Sequence, residues 1–337
     1  MVLDRPSHQP FPITKGRYDV RPGMREFGRA AFGMPAEYGH FRLDETTPRY
    51  LREKLEVRRR HPSSALQTDA GAEVASLAEL IWRTFEVGAE EEPTWVRWAP
   101  ERTEFLMLGL CVERQSDRFE LTLRESELSE LGALIYAQCA LHDGAARWME
   151  LLGLVFPCDF AVMATAAQNG LPDDRCEALH ICFPSSWSPR LKIGRDFAEI
   201  HRPVANNEAI LKGHANLVHA MCFMGPYVRF AWGLHRNPDL DSHPEHGHGR
   251  PDFSGMSPEA VAAKTWLRVE RQTTKPFADL GRGLFTIRTY IEPLIDVAKD
   301  PAKAEHLALA IRSMNDASLR YKGMLDRRDA LLAYLES

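Results

Sequence analysis

The chemistry legible in this 337-residue chain starts from one imidazole. The stretch HICFPSSWSPRLKIGRDFAEIHRPVANN, residues 180–207, runs from a Pro-Ser-Ser-Trp turn into a short basic helical segment and ends on Ile200-His201-Arg202-Pro203. Helices usually stop at or before the residue preceding a proline, so His201 is expected on a rigid corner. A neutral imidazole fixed there could ligate a metal or haem iron. The plainer reading is a hydrogen-bonded corner histidine, and both stand. His219, late in the same helical insert, is a second candidate ligand. His180 lies in a strand and is expected to be packed or hydrogen-bonded. His243, His246 and His248 have spacing that could hold a divalent cation. Pro244 and Gly247 keep them off any regular element, however, which favours a solvated loop.

The second chemical signal is arginine inside strands. In KTWLRVERQT (264–273), Trp266, Arg268, Glu270 and Gln272 alternate with Leu267, Val269 and Arg271. In GLFTIRTYI (283–291), Arg288 shares a side with Leu284, Thr286 and Tyr290. A buried guanidinium must be paired. These arginines are therefore either structural ion pairs or an anion clamp for a carboxylate, phosphate or haem propionate. Asp159, heading a strand after Pro157 and Cys158, either caps or points into a pocket. No dinucleotide fingerprint, P-loop or Ser-His-Asp pattern is present.

The elements that must position these groups follow from periodicity. Helices are expected from Thr46-Thr47-Pro48 to about Arg60, over 73–88 and over 126–150, with two strands in 102–123 turning at Gln115-Ser116-Asp117. In the second half, strands are expected at 160–166, 177–185, 227–235, 264–273 and 283–291. A turn-rich AAQNGLPDD connects the first two, and a helical stretch over 190–222, broken at Pro203, follows the second. Residues 236–260 read as a long exposed loop. The tail from Pro301 to Ser337 reads as two amphipathic helices split near Ser318. This order suggests an α+β arrangement, an antiparallel sheet with helices on one face. The expected organisation is an N-terminal extension and cap over 1–150, a core over 151–295 and C-terminal helices over 296–337.

Composition is that of a globular protein, 44% hydrophobic and 26% charged. A net charge of −5 with mixed signs argues against nucleic-acid binding. The one basic run, Arg52 to Arg60, carries Glu53 and Glu56 at helical spacing and reads as a solvated helix face. Six cysteines without CxxC spacing suit a reduced compartment. No signal peptide or membrane span is evident, so a cytoplasmic location is expected.

CFPSSWSPRLKIG followed by IHRPV, then LRVERQT followed by LFTIRTYIEPL, resembles the haem-dependent oxidative N-demethylase alpha-subunit family. RLDETTPRYLREK near the start and YKGMLDRRDALLAYL near the end fit the same family. The resemblance implies a PAS-like haem domain, a five-stranded antiparallel sheet with a helical insert after the second strand and helical extensions at both ends. It also implies haem b, dioxygen and a small methylated amine such as dimethylamine. The methyl group would be lost as formaldehyde, with electrons from a separate flavin and iron–sulfur reductase subunit. Carried onto this chain, His201 would be the axial ligand. Lys192, Arg268, Arg271 and Arg288 would be cofactor-binding candidates, and Asp159, Arg229 and Glu270 catalytic ones. Two places depart from the family's pattern. A Gln-Glu-Asp stretch is reduced to Pro157-Cys158-Asp159, and Arg-x-Asn-Trp reads Arg229-Phe230-Ala231-Trp232. These departures leave a haem PAS module that binds a gas without turnover as the alternative.

Overall fold

Alternating and continuous apolar runs in the second half pair into one large sheet, as their length and β-branched content require. The computed structural model describes residues 2–30, 33–168, 171–247, 249 and 251–337. Its strands, in chain order, are β1 (Arg25–Glu26), β2 (Leu66–Thr68), β3 (Val96–Ala99), β4 (Arg102–Phe105), β5 (Leu110–Gln115), β6 (Arg118–Leu123), β7 (Asp159–Gln168), β8 (Leu171–His180), β9 (Tyr227–His235), β10 (Trp266–Phe277) and β11 (Arg282–Pro293). Among the described residues they form two antiparallel sheets, one of seven strands in the order β1-β9-β10-β11-β7-β8-β2 and one a β3-β4-β5-β6 meander. The five strands expected in the second half are neighbours at the centre of the larger sheet. The sheet is wider than the five strands expected because two short N-terminal strands pair with its edges.

The helices are α1 (Thr47–Arg60), α2 (Val74–Glu91), α3 (Ser129–Cys139), α4 (Gly144–Val155), α5 (Phe197–His201), α6 (Glu208–Lys212), α7 (His214–Phe223), α8 (Pro258–Ala263), α9 (Leu294–Val297), α10 (Pro301–Arg312), α11 (Asp316–Tyr321) and α12 (Arg328–Leu335). The insert therefore breaks into three pieces, and the C-terminal tail carries three helices rather than two. β8 ends at His180, earlier than expected, and residues 169–170 of the expected β7–β8 turn lie outside the described residues. Residues 96–123 hold four strands where two were expected over 102–123. The apolar run EFLMLGLCVER is not one strand, because it turns at Gly109. That residue has φ +66°, and a Cβ there would meet the Arg124 carbonyl oxygen at 2.1 Å.

Helices cover both faces of the large sheet, not one. Parity of the register makes this explicit. Glu270 lies opposite Ala231 and Thr289, and Arg271 opposite Phe230 and Arg288. Directly opposed residues share a face and successive residues alternate. One face thus carries Val162, Leu267, Val269, Arg271, Leu284, Arg288 and Tyr290. It packs into two cores, one with the first-half helices and meander and the other with α8, α10 and α12. The other face carries Arg229, Ala231, Arg268, Glu270, Phe285 and Ile287. The insert core of Phe197, Ile210, Val218, Met221 and Cys222 packs against its Met163, Leu179 and Ile287. Gly283 lets α7 lie directly on β11, since a Cβ there would sit 2.5 Å from the Met221 carbonyl oxygen. A sheet buried on both faces explains why β10 and β11 read as nearly continuous buried runs.

Candidate functional site

α5 is five residues long, too short to hold itself together, so its position is set by what grips it. Asp196 caps it by accepting the Glu199 amide at 2.6 Å. Its last residue is His201, the expected corner, and Pro203 stands two residues on. The His201 Nδ1 is 2.8 Å from the Phe197 carbonyl oxygen. A carbonyl can only accept, so Nδ1 carries the proton and Nε2 keeps its lone pair. The Phe197 ring stacks on the imidazole, centroids 4.1 Å apart and planes at 30°. Lys192 donates to the Ile200 carbonyl at 2.6 Å, and Asn207 to the His201 carbonyl at 2.9 Å. Burial, with the nearby charges of Arg229 and Lys192, pushes the imidazole down to about 4 against the opposing pull of the Phe197 carbonyl. It is neutral at physiological pH.

The sheet contributes the charged wall. Arg229 of β9 lies opposite Gln272 of β10, on the face shared with Glu270. Its Nε is buried with no hydrogen-bond partner among the described residues. Burial lowers its pKa, opposed by the charges of Glu270 and Tyr18. The Glu270 carboxylate accepts from Gln272 at 2.9 Å and lies 3.5 Å from the Arg268 Nε. Lys322, just past α11, donates to the Trp232 carbonyl at 2.7 Å, and burial pushes its pKa down to about 8 despite Glu270. Apolar surface adjoins these groups. Trp187, Ile193, Ile200, Leu217 and Phe285 pack on the insert core while staying only partly buried. The fold thus brings His201, Lys192, Arg229, Glu270 and Arg268 to one side of the sheet.

Other candidates lie elsewhere. Arg271 and Arg288 occupy the opposite face. Arg271 is spent on Glu37 (2.9 Å), the His40 carbonyl (3.0 Å) and the Gly39 carbonyl. Arg288 reaches Asp44 at 3.2 Å and Thr46 at 2.9 Å, with its guanidinium carbon 3.7 Å from the Tyr50 ring centroid. Arg268 also donates to the carbonyls of Leu240 (2.7 Å) and Phe183 (2.5 Å). Asp159 accepts the amides of Cys182 (3.0 Å) and Phe183 (2.7 Å) and pairs with Lys54 at 3.2 Å, both side chains fully buried. His219 is exposed against Phe223.

Two expectations about solvated segments are corrected. The basic run of α1 is not wholly a solvent face. Lys54 and Arg58 point inward, Lys54 to the carbonyls of Gly153, Phe156 and Cys158, and Arg58 to Glu150 at 2.8 Å. Each finds its anionic partner a hundred residues away, which is why helical spacing alone misread them. The 236–260 loop is not wholly exposed either. His243 and Leu240 are buried, and the rings of His61, His246 and His243 stack in that order. His248 lies outside the described residues. Asp159, His180 and Cys182 offer three ligand atoms within 4.8 Å of one another. The Lys54 ammonium already occupies the cation position at that carboxylate, and His180 is turned to Glu150 at 3.1 Å.

Sequence reasoning missed Phe197, Asn207 and Lys322. Phe197 was findable, since it stands four residues before His201 on one helix face. Lys322 carried no local signal.

A model of the family described as haem-dependent oxidative N-demethylase, alpha subunit-like, matches residues 38–332. The chain belongs to this family. Membership carries the coarse activity, an oxidoreductase of the haem-dependent oxidative N-demethylase kind, and the alpha-subunit description implies a further subunit. Among the described residues no helix is long and apolar enough to cross a membrane.

Proposed function

We propose that this protein is the haem-dependent oxygenase subunit of an oxidative N-demethylase that acts on a small methylated amine of the dimethylamine kind, with electrons from a separate flavin and iron–sulfur reductase. The observation that carries the reading is the state of His201: neutral, Nδ1 donating to a backbone carbonyl, Nε2 free to bind. Metal-ligating histidines are held in this way. The residues present fit haem b. His201 would hold the iron, Lys192 would supply a cation for a propionate beside it, and the partly covered Trp187, Ile200, Leu217 and Phe285 would supply apolar wall. Haem, when bound, supplies dioxygen activation and one-electron chemistry.

The chain's own residues do the rest. Glu270, oriented by Gln272 and Arg268, offers a carboxylate to a protonated secondary amine and can take its proton. Arg229, with an unsatisfied buried Nε, offers a donor to developing negative charge. Ala231, opposite Glu270, puts a methyl group where the family tends to have an asparagine, which leaves room for a different or bulkier amine. Arg271, Arg288 and Asp159 remain site candidates only at a distance, each held by partners away from His201. We read the central strand order β8-β7-β11-β10-β9 with its insert as PAS-like. We retain 1–150, 151–295 and 296–337 as the working division, cytoplasmic as the location, and neither nucleic acid nor membrane as a partner.

The test is an absorption spectrum of the purified protein, as isolated and after addition of haem, dithionite and carbon monoxide, followed by formaldehyde release from a panel of methylated amines with a reductase supplied. A Soret band responsive to carbon monoxide together with formaldehyde release is the expected result. No Soret band after reconstitution refutes the reading. A Soret band without turnover across the panel would favour the gas-binding module. Asp159 gives that alternative its support, since its carboxylate is spent on Lys54 and two amides and is not available to a substrate.

A further inference from the structure

We propose that Asp174 is a positioning residue for the His201 imidazole, acting through Phe197. The use of that position rests on the haem reading above; the positioning itself does not.

The observation is a continuous set of contacts from the sheet to the ring. Asp174 lies on β8 and is almost fully buried. Its Oδ2 accepts the Phe197 amide at 2.7 Å. Phe197 then touches His201 twice, with its carbonyl on Nδ1 at 2.8 Å and with its ring at 4.1 Å between centroids. Two further bonds hang the approach to α5 from the same strand. The Gly194 amide donates to the Cys176 carbonyl at 2.8 Å, and the Cys176 amide to the Arg195 carbonyl at 2.9 Å. The first turn of α5 is therefore fixed to β8 by backbone and by one carboxylate. A five-residue helix cannot supply that rigidity from its own hydrogen bonds.

The carboxylate is the element that specifies orientation. The backbone bonds at Cys176 fix where the chain enters α5, two residues before Phe197, but not how Phe197 is rotated. Asp196 caps a different amide, that of Glu199. Phe197 is packed into the insert core, and among the described residues Asp174 is the side chain that accepts its amide, on the residue whose carbonyl and ring together hold the imidazole. Burying a carboxylate beside Asp196 is costly. An apolar residue would have been cheaper for packing alone, so the carboxylate here does something that packing does not.

The test compares Asp174→Ala, Asp174→Leu and Asp174→Asn with the wild-type chain. In haem-free protein, nitrogen NMR of His201 reads the tautomer, and the nuclear Overhauser effect between the His201 and Phe197 rings reads their stacking. In reconstituted protein, Soret titration reads haem affinity. Loss of an outer contact to a ligating histidine typically costs about 10–100-fold in affinity. Asp174→Ala is expected to lose the ring–ring effect, mix the two tautomers and weaken haem by about that factor. Asp174→Asn keeps an acceptor for the Phe197 amide and is expected to restore both readouts. Should Asp174→Ala not fold, Asp174→Leu replaces it, since it fills the buried volume and offers the Phe197 amide no acceptor; a mixed tautomer with weakened haem supports the proposal. An Asp174→Ala protein, or failing that an Asp174→Leu protein, with wild-type tautomer and wild-type haem affinity overturns it. If His201→Ala binds haem with an unchanged spectrum, the haem reading fails, while the tautomer and ring measurements on haem-free protein still decide the positioning.

Discussion

Asp159 offers the sharpest test, because catalytic and structural roles predict opposite results for one substitution. Its carboxylate and the Lys54 ammonium are 3.2 Å apart and wholly buried, with two amides on the carboxylate and three carbonyls around the ammonium. Asp159→Asn keeps shape and one acceptor oxygen but removes the charge. The Lys54 ammonium is then buried beside carbonyl dipoles alone. Removing one partner of a buried pair costs about 3–5 kcal/mol, much of it the uncompensated charge left behind. For a chain of this size each kcal/mol moves the melting temperature by about 2 °C, so a fall of about 6–10 °C is expected. Calorimetry and guanidinium titration measure it, alongside formaldehyde release per bound haem. The double variant Lys54→Met with Asp159→Leu removes both charges and is expected to regain part of the loss, because the two effects are not additive. An Asp159→Asn protein with unchanged melting and guanidinium midpoint but abolished turnover per haem would refute this reasoning and return Asp159 to the reacting centre.

His201→Ala is expected to abolish the reconstituted Soret band or shift it, while His219→Ala leaves it unchanged; the reverse pattern would move the axial ligand to α7. Glu270→Gln is expected to retain the haem spectrum and lose about 10²–10⁴-fold in amine turnover, the usual contribution of a proton-transfer group; undiminished turnover would remove Glu270 from the chemistry. Glu150 is buried, which raises its pKa, but hydrogen bonds and charge from His180 and Arg58 outweigh burial and hold it down at about 2 against an ordinary 4.5. A depressed folded-state pKa contributes stability that is fully present above the unfolded value and lost as pH falls through the folded one. That contribution is about 3 kcal/mol, lost between pH of about 5 and 2. Glu150→Gln is expected to unfold more easily at pH 7 and to show a flatter stability profile below pH 5; an acid limb as steep as in the wild type would contradict it.

Legibility followed how local the cause was. The five central strands announced themselves because each carries its own period, and the break of the insert was written in Pro203. α1 did not announce its buried side. Lys54 and Arg58 look like any solvated cations until Asp159 and Glu150 arrive from strand and helix a hundred residues on. The meander was concealed by an apolar run whose fold-back depends on Gly109 alone. Lys322 comes to the Glu270 wall from the far end of the chain, with nothing in its neighbours to mark it.

The arginines illustrate the boundary best. Alternation along β10 already separated Arg268 and Glu270 from Arg271, since adjacent residues of a strand cannot share a face. What alternation could not supply was the identity of the two faces. That depended on α7 packing over Gly283 and on residues 37–46 crossing the opposite side, where they meet Arg271 and Arg288 with Glu37, two carbonyls and Asp44. Once the faces are known, the choice between anion clamp and structural pair divides by position. Arg271 is a satisfied structural cation, and its cross-strand neighbour Arg288 is drawn to Asp44 and Tyr50. Arg229 keeps a buried Nε without a hydrogen-bond partner among the described residues, on the same face as Glu270 and beside a neutral His201; Arg288 keeps its Nε and Nη1 so on the opposite face. A buried N–H without a partner is costly; Arg288 has the Tyr50 ring beside it, and on the proposed reading Arg229 donates to the charge that develops at the site.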